Sequence, residues 1–286
     1  MRMDNHAERL TQDSVLRYWK EPALRVEVFE EVTSTNTLLK QRGDIEELEG
    51  LVYVANRQTQ GRGRRGRSFY SPAGTGIYTS ILLRPQLPLE KSLWMTTCAA
   101  AAVCRVLEGY LGEPLEIKWV NDIYYRGRKV CGILTEGILD AEGGLRYAVL
   151  GIGINVYAFQ EQAPEEICQV AGALFGEGFA SNGFGNALKQ VQTEDLRSRI
   201  VADIWSMFWK EYQNIARCAF FADYQGRLMW VGKSIVVLDG AGRGVSAKLL
   251  RLNEDFSLQI QYEDGREEAL FAGEISIRPG EEEAQI

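Results

Sequence analysis

Four arginines and three glycines fall within seven residues, Gly61-Arg62-Gly63-Arg64-Arg65-Gly66-Arg67, in a chain whose formal net charge is −7. The glycines keep the backbone bare and the arginines make it cationic. The segment therefore reads as a loop whose amides and guanidinium groups close on an anion such as a phosphate or an acyl phosphate. It lies between two apolar runs that read as strands, Leu51-Val52-Tyr53-Val54-Ala55 and Gly76-Ile77-Tyr78-Thr79-Ser80-Ile81-Leu82-Leu83. That position inside a globular pattern argues against a solvated Arg-Gly tail. Two familiar glycine patterns also fail. Gly61, Gly63 and Gly66 fit G-x-G-x-x-G, but the turn-forming Ser71-Pro72-Ala73-Gly74-Thr75-Gly76 follows where a helix is required. Gly61, Gly66 and Ser68 fit a P-loop, yet Arg67 stands in the lysine position and again no helix opens.

The 286 residues, 45% hydrophobic and 25% charged, allow one large domain and a small one. A pI near 5.1 excludes a broad basic face for nucleic acid or acidic membrane, so cationic chemistry is confined to a site. Cys98, Cys104, Cys131, Cys168 and Cys218 are odd in number and widely spaced, the usage of a reducing compartment. With no signal peptide or apolar span in the sequence, a cytoplasmic location is expected. The single histidine, His6, lies in a polar terminal segment, which excludes Ser-His-Asp or Cys-His catalysis and histidine-ligated metals.

Along the chain, residues 1–22 hold a short helix at most. Arg25-Val26-Glu27-Val28-Phe29 alternates as a strand, and Thr33-Ser34-Thr35-Asn36 follows at a strand-to-helix junction. Those hydroxyls either cap the helix or face a ligand; both readings stand on sequence. Helical spacing runs from Ser92 to Leu111 and from Leu188 to about Ala216, where Trp205 and Trp209 read as core. Leu115 to Trp119 alternates, Asn121-Asp122 makes a turn, and Ile123-Tyr124-Tyr125 pairs through Arg126-Gly127-Arg128 with Val130 to Leu134. Lys118 at that strand end is a solvated lysine or a site cation, and Gly132 marks a bulge or a close approach. Tyr147 to Val156 is a buried strand ending near the polar Asn155. Gly176 to Gly185 reads as loop, and from about Leu228 short strands with turns at Asp239-Gly240 and Asp264-Gly265 suggest a small barrel of about five strands. Glu281-Glu282-Glu283 is a solvated tail.

Six segments together resemble the biotin protein ligases, the biotin–[acetyl-CoA carboxylase] ligase family. They are Ser34-Thr35-Asn36; Gln58 with Gly61 to Arg67; Lys118-Trp119-Val120-Asn121-Asp122; Lys129 to Glu136; Gly151-Ile152-Gly153-Ile154-Asn155; and Gly273-Glu274-Ile275-Ser276. The resemblance implies an α+β fold with a mixed sheet like that of class II aminoacyl-tRNA synthetases and biotin synthetases, followed by an SH3-like barrel. The expected division is residues 1–22, a biotin/ATP-binding unit at 23–227 and the barrel at 228–286.

The same resemblance implies an enzyme that activates biotin with ATP and Mg²⁺ to biotinyl-5′-AMP and transfers biotin to a lysine of a biotin carboxyl carrier domain. Lys118, Arg64 and Arg65 would be catalytic. Ser34, Thr35, Asn36, Gln58, Arg62, Gly63, Arg64, Lys118 and Gly132 would bind biotin, and Arg64, Arg65, Phe69, Lys118 and Asn155 the adenylate, with no protein-held metal. Val120 replaces the family's frequent proline and Phe69 its frequent tryptophan. The family's DNA-binding domain has no counterpart in residues 1–22, implying the monofunctional type with no DNA partner and no membrane; a homodimer is compatible with it. A lipoate or octanoyl ligase is the rival enzyme, and a nucleic-acid-binding module the rival from another class.

Overall fold

The computed structural model describes residues 9–159, 163–175, 195–238, 243–271 and 276–279. Its main sheet comprises β1 (Arg25–Val32), β2 (Leu51–Gln58), β3 (Gly76–Leu83), β4 (Glu116–Lys118), β5 (Asp122–Tyr125), β6 (Arg128–Leu139) and β7 (Leu145–Asn155), in the order β1-β2-β3-β7-β6-β5-β4. Only β1 and β2 pair in parallel, because α2 (Thr35–Lys40) carries the chain between them; the other neighbours are antiparallel. Every residue of the central β3 is buried, which explains its unbroken apolar run.

Alternation along the strands sends side chains to two cores. Val52, Val54, Ile77 and Ile81 join the larger one, beneath α3 (Leu93–Leu111) and α5 (Leu196–Tyr212). Leu51, Tyr53 and Leu82 point the other way, to a smaller cluster with Leu39 of α2, Tyr147 and Val149. The buried run Ala99 to Ala102 lets α3 lie close to its neighbours, and Gly112, at φ +70°, stops it. The remaining helices are α1 (Gln12–Tyr18), α4 (Glu165–Val170), which the sequence reading did not anticipate, and α6 (Phe221–Gly226). No helix among the described residues is long and apolar enough to cross a membrane.

A second, antiparallel sheet of five strands follows: β8 (Ser234–Leu238), β9 (Gly244–Leu252), β10 (Leu258–Tyr262), β11 (Glu267–Leu270) and β12 (Ser276–Pro279), ordered β11-β10-β9-β8-β12. It is fixed to the first through Phe256, whose ring meets Trp94, Phe220, Phe221 and Tyr224 and whose carbonyl accepts the Trp119 Nε1 hydrogen at 2.9 Å. A hydrogen-bonded aromatic knot of this kind resists sliding, since moving it would bury an unmet indole N–H.

Arg126 and Gly127, at φ +50° and +75°, form a two-residue turn between β5 and β6, one residue shorter than the expected Arg126-Gly127-Arg128 because Arg128 already opens β6. The turn placed at Asn121-Asp122 lies one residue earlier. Asp122 is already the first residue of β5, opposite Lys118, because the β4–β5 register pairs them. The expected Gly176–Gly185 loop, the first part of the Leu188–Ala216 helix, the Asp239-Gly240 turn, Gly273-Glu274-Ile275, the acidic tail and His6 lie outside the described residues.

Trp205 is fully buried on α5 and donates its Nε1 hydrogen to Thr79 Oγ1 at 2.9 Å, so it fills volume and satisfies a polar atom at once. Trp205→Ala is expected to lower unfolding free energy by about 3–5 kcal/mol. A urea titration followed by circular dichroism checks this, and a midpoint within experimental error of the unaltered protein's would contradict it.

Candidate active site

One cavity of about 150 Å³ opens where α2, the arginine loop, the β4–β5 turn and the backbones of β6 and β7 meet. A water needs roughly 10–15 Å³ by this measure, so the space suits an organic molecule rather than a single ion. Ser34, Thr35, Asn36, Gln58, Arg62, Gly63, Arg64, Arg65, Phe69, Lys118 and Gly132 all line it. Asn155 does not. It is buried at the end of β7, with its Nδ2 donating to the Gly172 carbonyl at 3.0 Å, so the structure leaves it outside the wall.

The floor exists because two strand residues have no side chain. A Cβ on Gly153 would sit 2.6 Å from the Phe69 ring, and one on Gly151 only 2.1 Å from Asn36 Oδ1. Any larger residue would expel those groups from the positions they hold on β7. Gly132 likewise meets the Phe69 ring and the Lys129 side chain at 3.3 Å, which makes it a close approach rather than a bulge.

At one end the wall is a hydrogen-bonded relay. Gln58 Oε1 accepts from the Thr35 backbone N–H at 2.9 Å, while Gln58 Nε2 donates to Ser71 Oγ at 3.1 Å. Thr35 Oγ1 and Ser80 Oγ are 2.6 Å apart, Ser80 donates to Asn36 Oδ1 at 2.6 Å, and Asn36 Nδ2 donates to Glu136 at 3.0 Å. Because Asn36 Oδ1 only accepts, the Ser80 proton is committed to it, and the single Thr35 hydroxyl proton lies between Ser80 Oγ at 2.6 Å and Gln58 Oε1 at 3.2 Å. Ser34 occupies the N-cap position of α2 but makes no side-chain cap hydrogen bond, so the capping reading fails for it.

Glu136 ends this relay and also holds Lys40 at 2.8 Å and Arg62 at 3.2 Å. Burial alone would raise its carboxyl, but the Lys40 and Asn36 hydrogen bonds and the nearby Arg62 charge hold it below the usual range. An anion that stays charged therefore ties the first loop arginine to the sheet. The loop itself closes through the Gly63 N–H to the Arg67 carbonyl at 2.7 Å, and Arg65 sits in the left-handed region at φ +57°. Arg64 Nη1 reaches across to Asn121 Oδ1 at 3.1 Å.

Opposite stands a crowd of cations. Arg62, Arg64, Arg65, Arg67, Lys118 and Lys129 line the cavity against one carboxylate, Asp122, which accepts from Lys129 Nζ at 2.6 Å. Arg64 is lowered from its ordinary value by burial first and by the Arg65 charge second. Lys118 is lowered by burial, with Lys129 and Arg67 adding to the effect and Asp122 opposing it. Such a wall stabilises negative charge that arrives with a ligand. No cysteine lines it, and burial pushes the thiols of Cys98, Cys104 and Cys131 well up. Among the described residues no group of three or more histidine, cysteine, aspartate or glutamate side chains is placed to hold a metal.

Lys129 and Asp122 were not among the expected site residues. The hairpin was the available signal: it returns β6 beside β5 with Lys129 opposite Tyr124, two residues from Asp122, a span that the long lysine side chain bridges to reach the Asp122 carboxylate.

Residues 28–155 match the Biotin/lipoate A/B protein ligase family. The chain is 39% identical over 143 residues to the bifunctional ligase/repressor BirA of Bacillus spizizenii, covering 50% of this chain and 44% of that one. It thus spans less than half the length of that relative. With the biotin–[acetyl-CoA-carboxylase] ligase of Mycobacterium tuberculosis it shares 28% identity over 256 residues, 88% of each chain. The structure of a biotin protein ligase from Aquifex aeolicus in complex with biotin and ATP superposes with a TM-score of 0.71 at 27% identity, covering 90% of this chain and 99% of that one. Family match, sequence relatives and shared α+β architecture agree that residues 28–155 form a Biotin/lipoate A/B protein ligase family domain.

Proposed function

We propose that this protein is a biotin protein ligase. It joins biotin to ATP as biotinyl-5′-AMP and then passes the biotinyl group to a lysine of a biotin carboxyl carrier domain. The observation that carries the reading is a cavity with six cationic side chains and one carboxylate, polar at its Thr35–Gln58 end and lined by no cysteine. In the first step a biotin carboxylate oxygen attacks the α-phosphorus, the bond to the β-phosphate oxygen breaks, and pyrophosphate leaves with the electron pair. In the second, the carrier lysine amine attacks the acyl carbon, AMP departs and the amine loses a proton. Neither step needs a protein nucleophile; both need anions brought together and held in line.

In this reading the hydroxyls and amides of Ser34, Thr35, Asn36 and Gln58 receive the ureido ring of biotin, with Arg62, Gly63 and Gly132 beside it. Lys118 bridges the biotin carboxylate and the α-phosphate, Arg64 and Arg65 steer the phosphates, and Phe69 covers the adenine side. Asn155 would act only by supporting the adenylate end from outside the wall. Mg²⁺ is proposed to arrive on the phosphates of ATP rather than on protein ligands, because Asp122, the cavity's one carboxylate, is engaged by Lys129. We assign it to the cytoplasm, with a catalytic unit at 23–227 and a C-terminal unit at 228–286 whose five-stranded sheet closes as an SH3-like barrel. Lipoate is disfavoured as the acyl group by the relatives' names, which are those of biotin ligases.

Isothermal titration with biotin, then with biotin, ATP and Mg²⁺, is the direct test. Biotin should bind and biotinyl-AMP should be found with the protein by mass, whereas binding of lipoate in place of biotin would overturn the assignment. Lys118→Ala should slow pyrophosphate release about a hundredfold or more, the scale set by removing a key electrostatic donor; a loss under tenfold would make Lys118 a bystander. Arg64→Gly should let the adenylate escape more than it slows its formation, as measured by the ratio of released to bound biotinyl-AMP. Unchanged retention would refute that role.

A further inference from the structure

Lys118 is approached from behind as well as from the cavity. It ends the edge strand β4, and that edge is not bare. The Ile117 N–H donates to the Arg227 carbonyl at 2.8 Å and the Ile117 carbonyl accepts from the Met229 N–H at 2.9 Å, so residues 227–229 add a short parallel pairing. Arg227 is itself anchored. Its Nε and Nη2 donate to the two Glu108 carboxylate oxygens on α3 at 3.0 and 2.6 Å, and its Nη1 donates to Asp223.

The next residue, Trp230, takes φ +66°, the left-handed region that a bulky side chain enters only when its surroundings impose it. Its carbonyl accepts from the Lys233 N–H at 3.0 Å, and the Gly232 N–H reaches the Leu249 carbonyl at 2.7 Å, so this turn is continuous with β8 and β9. The result is an indole whose ring centroid lies 5.7 Å from the Lys118 ammonium.

We propose that Trp230 is a positioning residue for Lys118: the strand-like segment leading into the C-terminal sheet lays an indole over the ammonium and fixes where that charge sits. What Lys118 does there rests on the ligase reading; where its charge is held does not. A carboxylate in the same place would also pin the lysine, but it would neutralise the charge and take up its donors. An aromatic face attracts the cation and leaves its N–H groups for a ligand. Trp230 is not itself among the residues lining the cavity, so it acts through Lys118. The charged groups that act on Lys118 from other elements are Asp122 on β5, Lys129 on β6 and Arg67 on the loop, and none of them comes from the C-terminal unit.

The test compares Trp230→Leu and Trp230→Phe with the unaltered protein, each checked by thermal melting. Lys118 is acylated with acetic anhydride across a pH series and quantified by peptide mass spectrometry, with the other lysines as internal references. The indole favours the ammonium form, so replacing it by leucine lowers the pH of half-maximal acylation by about half a unit or more, and phenylalanine by less. The alkaline limb of biotin-dependent pyrophosphate release should move the same way. Unmoved acylation curves in both variants, or curves that move upward, would overturn the proposal. Should the leucine variant not fold, the phenylalanine variant decides, a downward shift supporting the proposal and no shift overturning it. A shifted Lys118 curve in a protein that makes no biotinyl-AMP would leave the placement standing and remove the ligase reading instead.

Discussion

Holding six cations around one cavity against a single lining carboxylate is the constraint on which the rest of the structure depends. Like charges repel and resist losing water, so each needs an anchor. The anchors differ in kind. Arg62 is tied to Glu136, which lies outside the wall; Arg64 reaches the neutral amide of Asn121; Lys129 takes the single lining carboxylate; Lys118 is left with an aromatic face. Lys129 has its charge matched by a carboxylate within the cavity, Asp122. The unmatched positive potential is what an anionic ligand finds on entering, already oriented, which is the condition for electrostatic stabilisation without reorganisation.

The sheet exists in the form that permits this. β7 carries glycine at 151 and 153, so the Asn36 amide and the Phe69 ring rest on main chain where side chains would normally stand. Asn36 in turn joins the relay from Thr35 to Glu136, so the room made on β7 and the anchoring of Arg62 belong to one hydrogen-bonded system. A change at Gly151 would therefore be felt at the arginine loop, through Asn36 and Glu136.

Most of the main sheet was legible in the sequence because its strands carry apolar runs of the right length with glycine and proline between them: β2, β3 and β7 are bounded within a few residues of where alternation and turn residues place them. The helices over the sheet were legible by their period. The short α4 was not, since six residues give too few turns for a periodic signal. The members of the wall were legible mainly as motif segments, and their partnership was not. Lys129 entered only as the first residue of the Lys129–Glu136 segment, and its approach to Asp122 depends on a hairpin register that a shift near Ile123 alters by one residue. Asn155 shows the converse. The family resemblance gave it an adenylate role, while its amide donates to the Gly172 carbonyl, a main-chain partner that sequence pattern does not reveal.

The link between the two sheets bears on why a small second unit accompanies the cavity at all. Two of its contacts land on consecutive residues at the end of β4: the Phe256 carbonyl takes the Trp119 indole hydrogen, and Trp230 covers Lys118. β4 has only three residues and one sheet partner, so by itself it would be a poorly held edge. The pairing of residues 227–229 and the Phe256 aromatic knot supply the stiffness that strand length does not. A lysine that must keep its charge in a partly desolvated wall cannot be fixed by ion pairing without losing what it is there to provide. Stiffening the backbone on which it stands, and covering it with a π face, achieves the same placement at the cost of a left-handed tryptophan, and the C-terminal sheet is the element continuous with that turn.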